Sequence, residues 1–416
     1  MIRIPRPDER NEQERNEIIG LYLCIAARIL PFDISAIIPD GAVLSDSSKS
    51  FTFHGKSYDI TRRFTFKSKI KEALETNEPS YRSEINRLNQ YQSPAELDQE
   101  IARMVLCSID PVLYQFLFPA GDHVSRENLQ TLLLEPMTSP TLCSLRQKIS
   151  EASQSSSDQP SEEAEESIYK KFFTVSDIFS YTRFSSHPLA NELVLRLKVD
   201  VCPYCNCSLI RPMDGYRHAE LDHYISKSSY PEFSVSLLNL IPSCPTCNHI
   251  KSDHDDPIFY PYAESLREEN CFETRVQNGV SYLVGEPGHE DDFTLCIRNS
   301  DSDEKIVNAW ESVFKLNDVY NHQRNYVLSM FYQRAVFSKP YLDSLCASLY
   351  KLDDSNNHSS EELVKVEDIK RSLYLRSIQP SDYLNTPLGR LTHDIDQEIE
   401  RLLRDAETEY QSSKEE

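Results

Sequence analysis

The chain has 416 residues, a formal net charge of −22, 39% hydrophobic residues and only 9 Gly. That length supports two or three domains with a sizeable core, and the scarcity of glycine favours helices over tight β-turns. No G-x-x-x-x-G-K-[ST] run is present, which excludes nucleotide binding on a phosphate loop, and the one apolar run, Ile18 to Leu30, is too short to span a bilayer and contains Arg28.

Residues 1–15 are charged, and Ile18 to Leu30 reads as a buried helix. Residues 49–60 (KSFTFHGKSYDI) alternate like a hairpin turning near His54 and Gly55. From Phe66 to Leu117 apolar residues recur three and four apart, as at Ile101, Val105 and Leu106, which predicts helices. Residues 1–148 are therefore expected to form a mostly helical domain of unknown role. Residues 149–168 contain six acids, no bases and a serine-rich core, the composition of an acidic linker. Leu189 to Leu197 predicts a helix, and VSYLV at 280–284 a strand. Ile306 to Leu349 is strongly helical and aromatic (Trp310, Phe314, Tyr320, Tyr326, Phe331, Tyr332), a pattern of core packing rather than of a base-stacking platform. Residues 351–364 read as a loop and 388–405 as a last amphipathic helix, so residues 266–416 are expected to be a C-terminal helical region.

Charge is unevenly spread. Residues 169–260 are close to neutral, whereas both flanks carry an acidic excess. Phosphate affinity comes from Lys and Arg, so an acidic chain is a weak nucleic-acid binder by itself. The eleven cysteines do not form a disulfide-like framework. With no cleavable leader in view, a reducing cytoplasm is the expected compartment.

Four of the cysteines form two pairs, Cys202 with Cys205 (CPYC) and Cys244 with Cys247 (CPTC), with 38 residues between them. Each pair can present two thiolates to one tetrahedral ion, and four thiolates describe a closed, structural Zn²⁺ site. Buried free thiols are the plainer alternative; Cys207 reads as a bystander. Between the pairs, residues 217–223 (RHAELDH) predict a strand and 239–242 (NLIP) a second one. Pro245 suits the first turn of a helix carrying Cys247, Asn248 and Lys251. The fold class is thus mainly α with a small α+β module, a central ββα unit stapled by zinc over residues 169–265.

Taken together, CPYC, LDHY, NLIPSC and CPTCNHIKSD resemble the HNH (ββα-metal) endonucleases. With CPYCN and the later PLGRLTHD (387–394), the chain is similar to a bacterial subgroup often encoded beside an ATPase in anti-phage systems of the Septu type. The resemblance covers about residues 170–405; residues 1–165 resemble no named family. It implies that His223 is the general base, that Asp222 and Asn248 hold one Mg²⁺ or Mn²⁺, and that Asn239 pins the loop and orients His223. Arg217, Lys227 and Lys251 are candidate phosphate contacts. His218 and Glu220 share a strand face with Asp222, where a structural or solvated role is the simpler reading. Many relatives read D-H-x-x-P, and Ser226 stands here in place of that proline.

A histidine near its ordinary pKa can take a proton from water at neutral pH, and one hard cation can stabilise charge at a phosphate. Carboxylate and amide oxygens suit magnesium and thiolates suit zinc, so the two metals are expected to segregate. The expectation is a nuclease cutting DNA to leave a 5′-phosphate, targeted or activated by a partner ATPase. The alternatives are an RNA-directed nuclease, for example a tRNA-cutting toxin, and a non-catalytic zinc-stapled module that binds nucleic acid or protein.

Overall fold

A computed structural model describes residues 2–61, 65–75, 79–157, 167–212, 219–254, 258–264, 271–276, 293–297, 304–353 and 365–415. The chain is mainly helical with three small sheets, and it divides into two compact units. The first comprises Pro5–Leu197 with Glu220–Pro242. The second comprises the residues through Ile4, Lys198–Ala219 and Ser243–Glu416. This interleaved division differs from the four consecutive segments expected from composition. No helix among the described residues is long and apolar enough to cross a membrane.

In the first unit the helix Glu12–Ile29 is the centre of packing. The side chain of Asn11 caps it by accepting from the Glu14 N–H, and Glu12 and Glu14 sit in its first turn, where the helix dipole favours acids. Ile18, Leu21, Tyr22, Leu23, Ile25 and Ile29 are all buried, so the predicted buried helix is present. Gly20 is required there by a close approach: a Cβ would lie 2.6 Å from the Tyr58 hydroxyl. Tyr58 belongs to an antiparallel meander of β1 (Val43–Leu44), β2 (Ser50–Phe53) and β3 (Lys56–Asp59). The hairpin turns where expected, at His54 (φ 47°) and Gly55 (φ 77°), the two positive φ values of a tight two-residue turn.

The helices Pro94–Ile109, Pro111–Leu117, Arg126–Leu134 and Pro140–Ser157 complete this unit's core, through Ile101, Val105, Leu106, Leu113, Leu117, Leu129 and Leu132. The last of them corrects the expected linker. Residues 149–157 continue a helix, with the Ser153 hydroxyl donating back to the Ile149 carbonyl; 158–166 lie outside the described residues. The helix Leu189–Arg196 agrees with the sequence reading. β4 (Glu220–His223) pairs with β5 (Leu240–Ser243), a shorter first strand than residues 217–223, of which 217 and 218 lie outside the described residues.

In the second unit the helix Pro245–Lys251 begins at the expected proline. β6 (Phe272–Val276) and β7 (Phe293–Ile297) form an antiparallel pair. The expected strand at 280–284 lies outside the described residues. The helices Glu304–Phe314, Leu316–Asn321, Arg324–Val336, Lys339–Asp353, Val366–Tyr374 and Gly389–Glu415 supply the rest. Trp310, Phe314 and Tyr320 are buried core residues, as expected, while Tyr332 is exposed. The last helix runs well beyond residue 405. Its buried Asp394 accepts from the Cys271 and Phe272 N–H groups, and its Asp396 pairs with Lys370 at 2.7 Å.

Candidate metal centre and histidine pocket

The four cysteines of the second unit converge. The Sγ atoms of Cys202, Cys205, Cys244 and Cys247 lie within 4.8 Å of one another, and all four side chains are buried. An ion about 2.3 Å from each of four tetrahedral sulfurs sets the sulfurs about 3.8 Å apart, so the cluster fits Zn²⁺. The local chain explains the geometry. Asn206 takes a left-handed conformation (φ 50°) and closes the first knuckle through its N–H to the Cys202 carbonyl. In the second knuckle the Cys244 sulfur accepts from the Cys247 N–H at the helix start.

Burial pushes the Cys202 thiol up. Hydrogen bonding with Cys202 pulls Cys244 down to about 7 and Cys205 below its ordinary value, and pushes Cys247 up. A divalent cation among the four sulfurs lets all of them ionise. Cys207 stays outside the cluster, its thiol donating to the Cys205 carbonyl at 3.1 Å.

The first knuckle is anchored within its own unit. Tyr204 stacks on Phe314 at 4.6 Å, and the Tyr320 hydroxyl donates to the Cys205 carbonyl. The Asn206 amide donates to the Tyr383 carbonyl and accepts from the Arg390 N–H. Arg390 belongs to PLGRLTHD, so the late motif is a strut for the knuckle.

In the first unit, the end of β4 carries Asp222 and His223 as consecutive residues. His223 is 7% exposed and Asp222 3%. The His223 Nε2 lies 2.9 Å from the Ser234 carbonyl oxygen. A carbonyl only accepts, so Nε2 carries the proton, and in the neutral ring the basic nitrogen is Nδ1. The Tyr181 ring stands across the imidazole, with centroids 4.4 Å apart and planes at 76°.

The acceptor loop is itself held. Fully buried Asn239 accepts from the Ile225 N–H at 2.7 Å and donates to the Ile225 and Phe233 carbonyls at 3.1 and 2.9 Å. Ser234 donates to the Phe179 carbonyl, Ser236 to Leu132 at 2.6 Å, and Tyr22 to Val235 at 2.7 Å. Asn239→Ala removes the acceptor of the Ile225 N–H, a donor to the Ile225 carbonyl and one of two donors to the Phe233 carbonyl, and is expected to cost about 2–4 kcal/mol, measured as a lowered urea midpoint.

Sequence reading missed Glu232, in the same loop. It is 1% exposed, one of its carboxyl oxygens has no hydrogen-bond partner, and burial, with a smaller contribution from Asp110, pushes it up to about 8. Below its ordinary value of 4.5 the carboxyl is protonated in both folded and unfolded chains. Between 4.5 and about 8 only the unfolded chain releases the proton, so stability falls as pH rises through that window. Glu232→Gln removes this loss. Its stability advantage over the native chain is expected to grow by roughly 4 kcal/mol between pH 5 and 8 and then level off. Denaturant titrations across that range check it; a gap independent of pH rejects the assignment.

The remaining candidates divide. Asn248 is half-buried and Lys251 only 1% exposed, both on the helix Pro245–Lys251 of the second unit. Lys251 is therefore no surface charge. Lys227 is exposed in the first unit, with Nζ 4.6 Å from the Tyr181 ring centroid. Arg217 and His218 lie outside the described residues, and Glu220 is half-buried. Ser226 is buried; its hydroxyl accepts from the Ser228 N–H and its carbonyl from the Tyr230 N–H. Among the described residues, the four cysteines are the one group of three or more His, Cys, Asp and Glu side chains placed to hold a metal.

No family model matches the chain, and no solved structure gives a significant match. The Septu protein PtuB of Bacillus thuringiensis is 32% identical to it over 81 residues, 19% of this chain and 30% of that protein. Protein ea31 of Escherichia phage lambda is 26% identical over 132 residues, 30% of this chain and 39% of that protein. The chain therefore spans well under half the length of each of these relatives.

Proposed function

We propose that the chain is a metal-dependent nuclease of the HNH type that hydrolyses phosphodiester bonds of DNA, serving anti-phage defence together with a partner ATPase. The observation that carries this reading is the His223 imidazole, held through Nε2 on the Ser234 carbonyl in a loop pinned by Asn239. That arrangement supports Nδ1 as the base that takes a proton from water. The water oxygen then bonds to phosphorus, the bond from phosphorus to the 3′-oxygen breaks, and that oxygen leaves with a proton as a 3′-hydroxyl. The products are a 5′-phosphate and a 3′-hydroxyl.

Asp222 is the proposed ligand of Mg²⁺ or Mn²⁺ in the histidine pocket, chosen for its hard oxygen donor. Such an ion supplies charge stabilisation at the reacting phosphate. Zinc on the cysteines is structural, because four thiolates leave no open position. Lys227 is the exposed candidate for a phosphate contact. The similarity to a Septu protein supports the defence role, and the charge of −22 supports targeting by a partner.

Incubation with DNA and RNA side by side, in Mg²⁺ and in EDTA, tests the reading. Mg²⁺-dependent cutting of DNA is expected. Preferential cutting of RNA would move the chain to the RNA-directed class, and binding without any cutting to the non-catalytic module. Efficient cutting by the purified chain alone at physiological salt would remove the partner.

A further inference from the structure

Tyr181 belongs to no motif in the sequence, yet three features of the histidine pocket meet on it. It opens the short helix Tyr181–Ser185, and its hydroxyl donates to the Leu221 carbonyl at 3.0 Å, one residue from Asp222 on β4. Its ring stands nearly perpendicular to the His223 imidazole, with centroids 4.4 Å apart. The Lys227 ammonium lies 4.6 Å from the centre of the same ring. Strand, base and an exposed cation are therefore indexed to one half-buried aromatic side chain.

The chemistry of each contact is specific. A lysine on the surface samples many rotamers, and attraction between its ammonium and the π-face narrows that set. The imidazole hydrogen-bonds to Ser234 through Nε2, and the Tyr181 ring stands across it as an aromatic wall that limits its reorientation. The hydroxyl's bond to the strand backbone fixes the wall relative to the residue that carries the base.

We infer that Tyr181 is a positioning residue that keeps the His223 imidazole in a reactive orientation and places the Lys227 ammonium beside it to receive a nucleic-acid phosphate. The inference rests on the nuclease reading above. Tyr181 touches no reacting atom; it acts through the base and the cation.

The test uses the full chain with Tyr181→Leu, Tyr181→Phe, Lys227→Met and the Tyr181→Leu/Lys227→Met double variant. Histidine-labelled protein gives the His223 ring resonance, assigned by its loss in His223→Ala. Tyr181→Leu is expected to remove the ring-current shift of that resonance, and Tyr181→Phe to keep it. In steady-state cleavage, Tyr181→Leu is expected to lower kcat by about 10- to 100-fold and raise KM several-fold, with Tyr181→Phe within about 3-fold of the native chain. Lys227→Met is expected to raise KM in the native background but add little to Tyr181→Leu.

An unchanged His223 resonance in Tyr181→Leu overturns the inference. So does damage by Tyr181→Phe equal to that by Tyr181→Leu, which would make the strand hydrogen bond the whole role. Should Tyr181→Leu fail to fold, Tyr181→Phe and Lys227→Met, which both keep the ring, carry the test. A native chain that cuts no nucleic acid in Mg²⁺, even with its copurifying partners, rejects the nuclease reading and the catalytic meaning of Tyr181 with it. The resonance still reports separately whether Tyr181 holds the imidazole.

Discussion

His223→Ala is expected to reduce DNA cleavage by about 10³-fold while leaving the chain folded and its zinc in place. The substitution removes the proposed base. The structural cost is confined. The Ser234 carbonyl loses its donor, worth about 1–3 kcal/mol, but the loop keeps the bonds made by Asn239, Ser236 and Tyr22. The four cysteines lie in the other unit and do not include His223. Cleavage rate and zinc content measured on one preparation therefore separate loss of chemistry from loss of fold. A variant that keeps more than a tenth of the native rate would remove His223 from the mechanism.

The second large effect is expected on the metal. The purified chain should carry one zinc ion, and Cys247→Ser or stripping with a strong chelator should unfold the knuckles. Structural zinc contributes about 10–16 kcal/mol of binding free energy in small zinc-finger peptides, more than the total stability of most domains. Here the loss spreads through contacts that depend on the first knuckle: Tyr204 on Phe314, Tyr320 on the Cys205 carbonyl, and Asn206 on Tyr383 and Arg390. The expected readout is loss of near-ultraviolet circular dichroism and a fall in the thermal midpoint that restored zinc reverses. Cys207→Ser is the control, because Cys207 is not one of the four clustered cysteines and its hydroxyl replacement should leave zinc content unchanged. A chain purified without zinc, and equally stable after chelation, would contradict the metal assignment.

The cysteine cluster was legible in the sequence because C-x-x-C spacing encodes a local knuckle. The hairpin at His54 and Gly55 was legible because only particular residues tolerate its backbone angles. The buried helix Glu12–Ile29 announced itself by an unbroken apolar run.

What failed to show was everything made by isolated polar side chains reaching distant backbone. Tyr22 meets Val235, Ser236 meets Leu132, and Tyr181 meets Leu221. Such contacts leave no periodicity, yet they join Glu220–Pro242 to Pro5–Leu197 and give the N-terminal helices a place in the histidine pocket. Glu232 was unreadable for a related reason: an acid in a short PEF run looks like a surface residue until its burial is seen. The serine-rich stretch misled in the other direction. Residues 149–157 are helical because they extend a helix already nucleated at Pro140 over buried Leu142 and Leu145, which composition alone does not register.

In the proposed reaction, water activated at His223 attacks a DNA phosphate. The most direct measurement is cleavage by the native chain, with any partners that copurify from its host, in Mg²⁺ and ¹⁸O-labelled water. The expected products are nicks that DNA ligase reseals without treatment, with one ¹⁸O atom in each new 5′-phosphate. Cuts ending in 3′-phosphate, or 5′-phosphates without the label, would contradict that reaction.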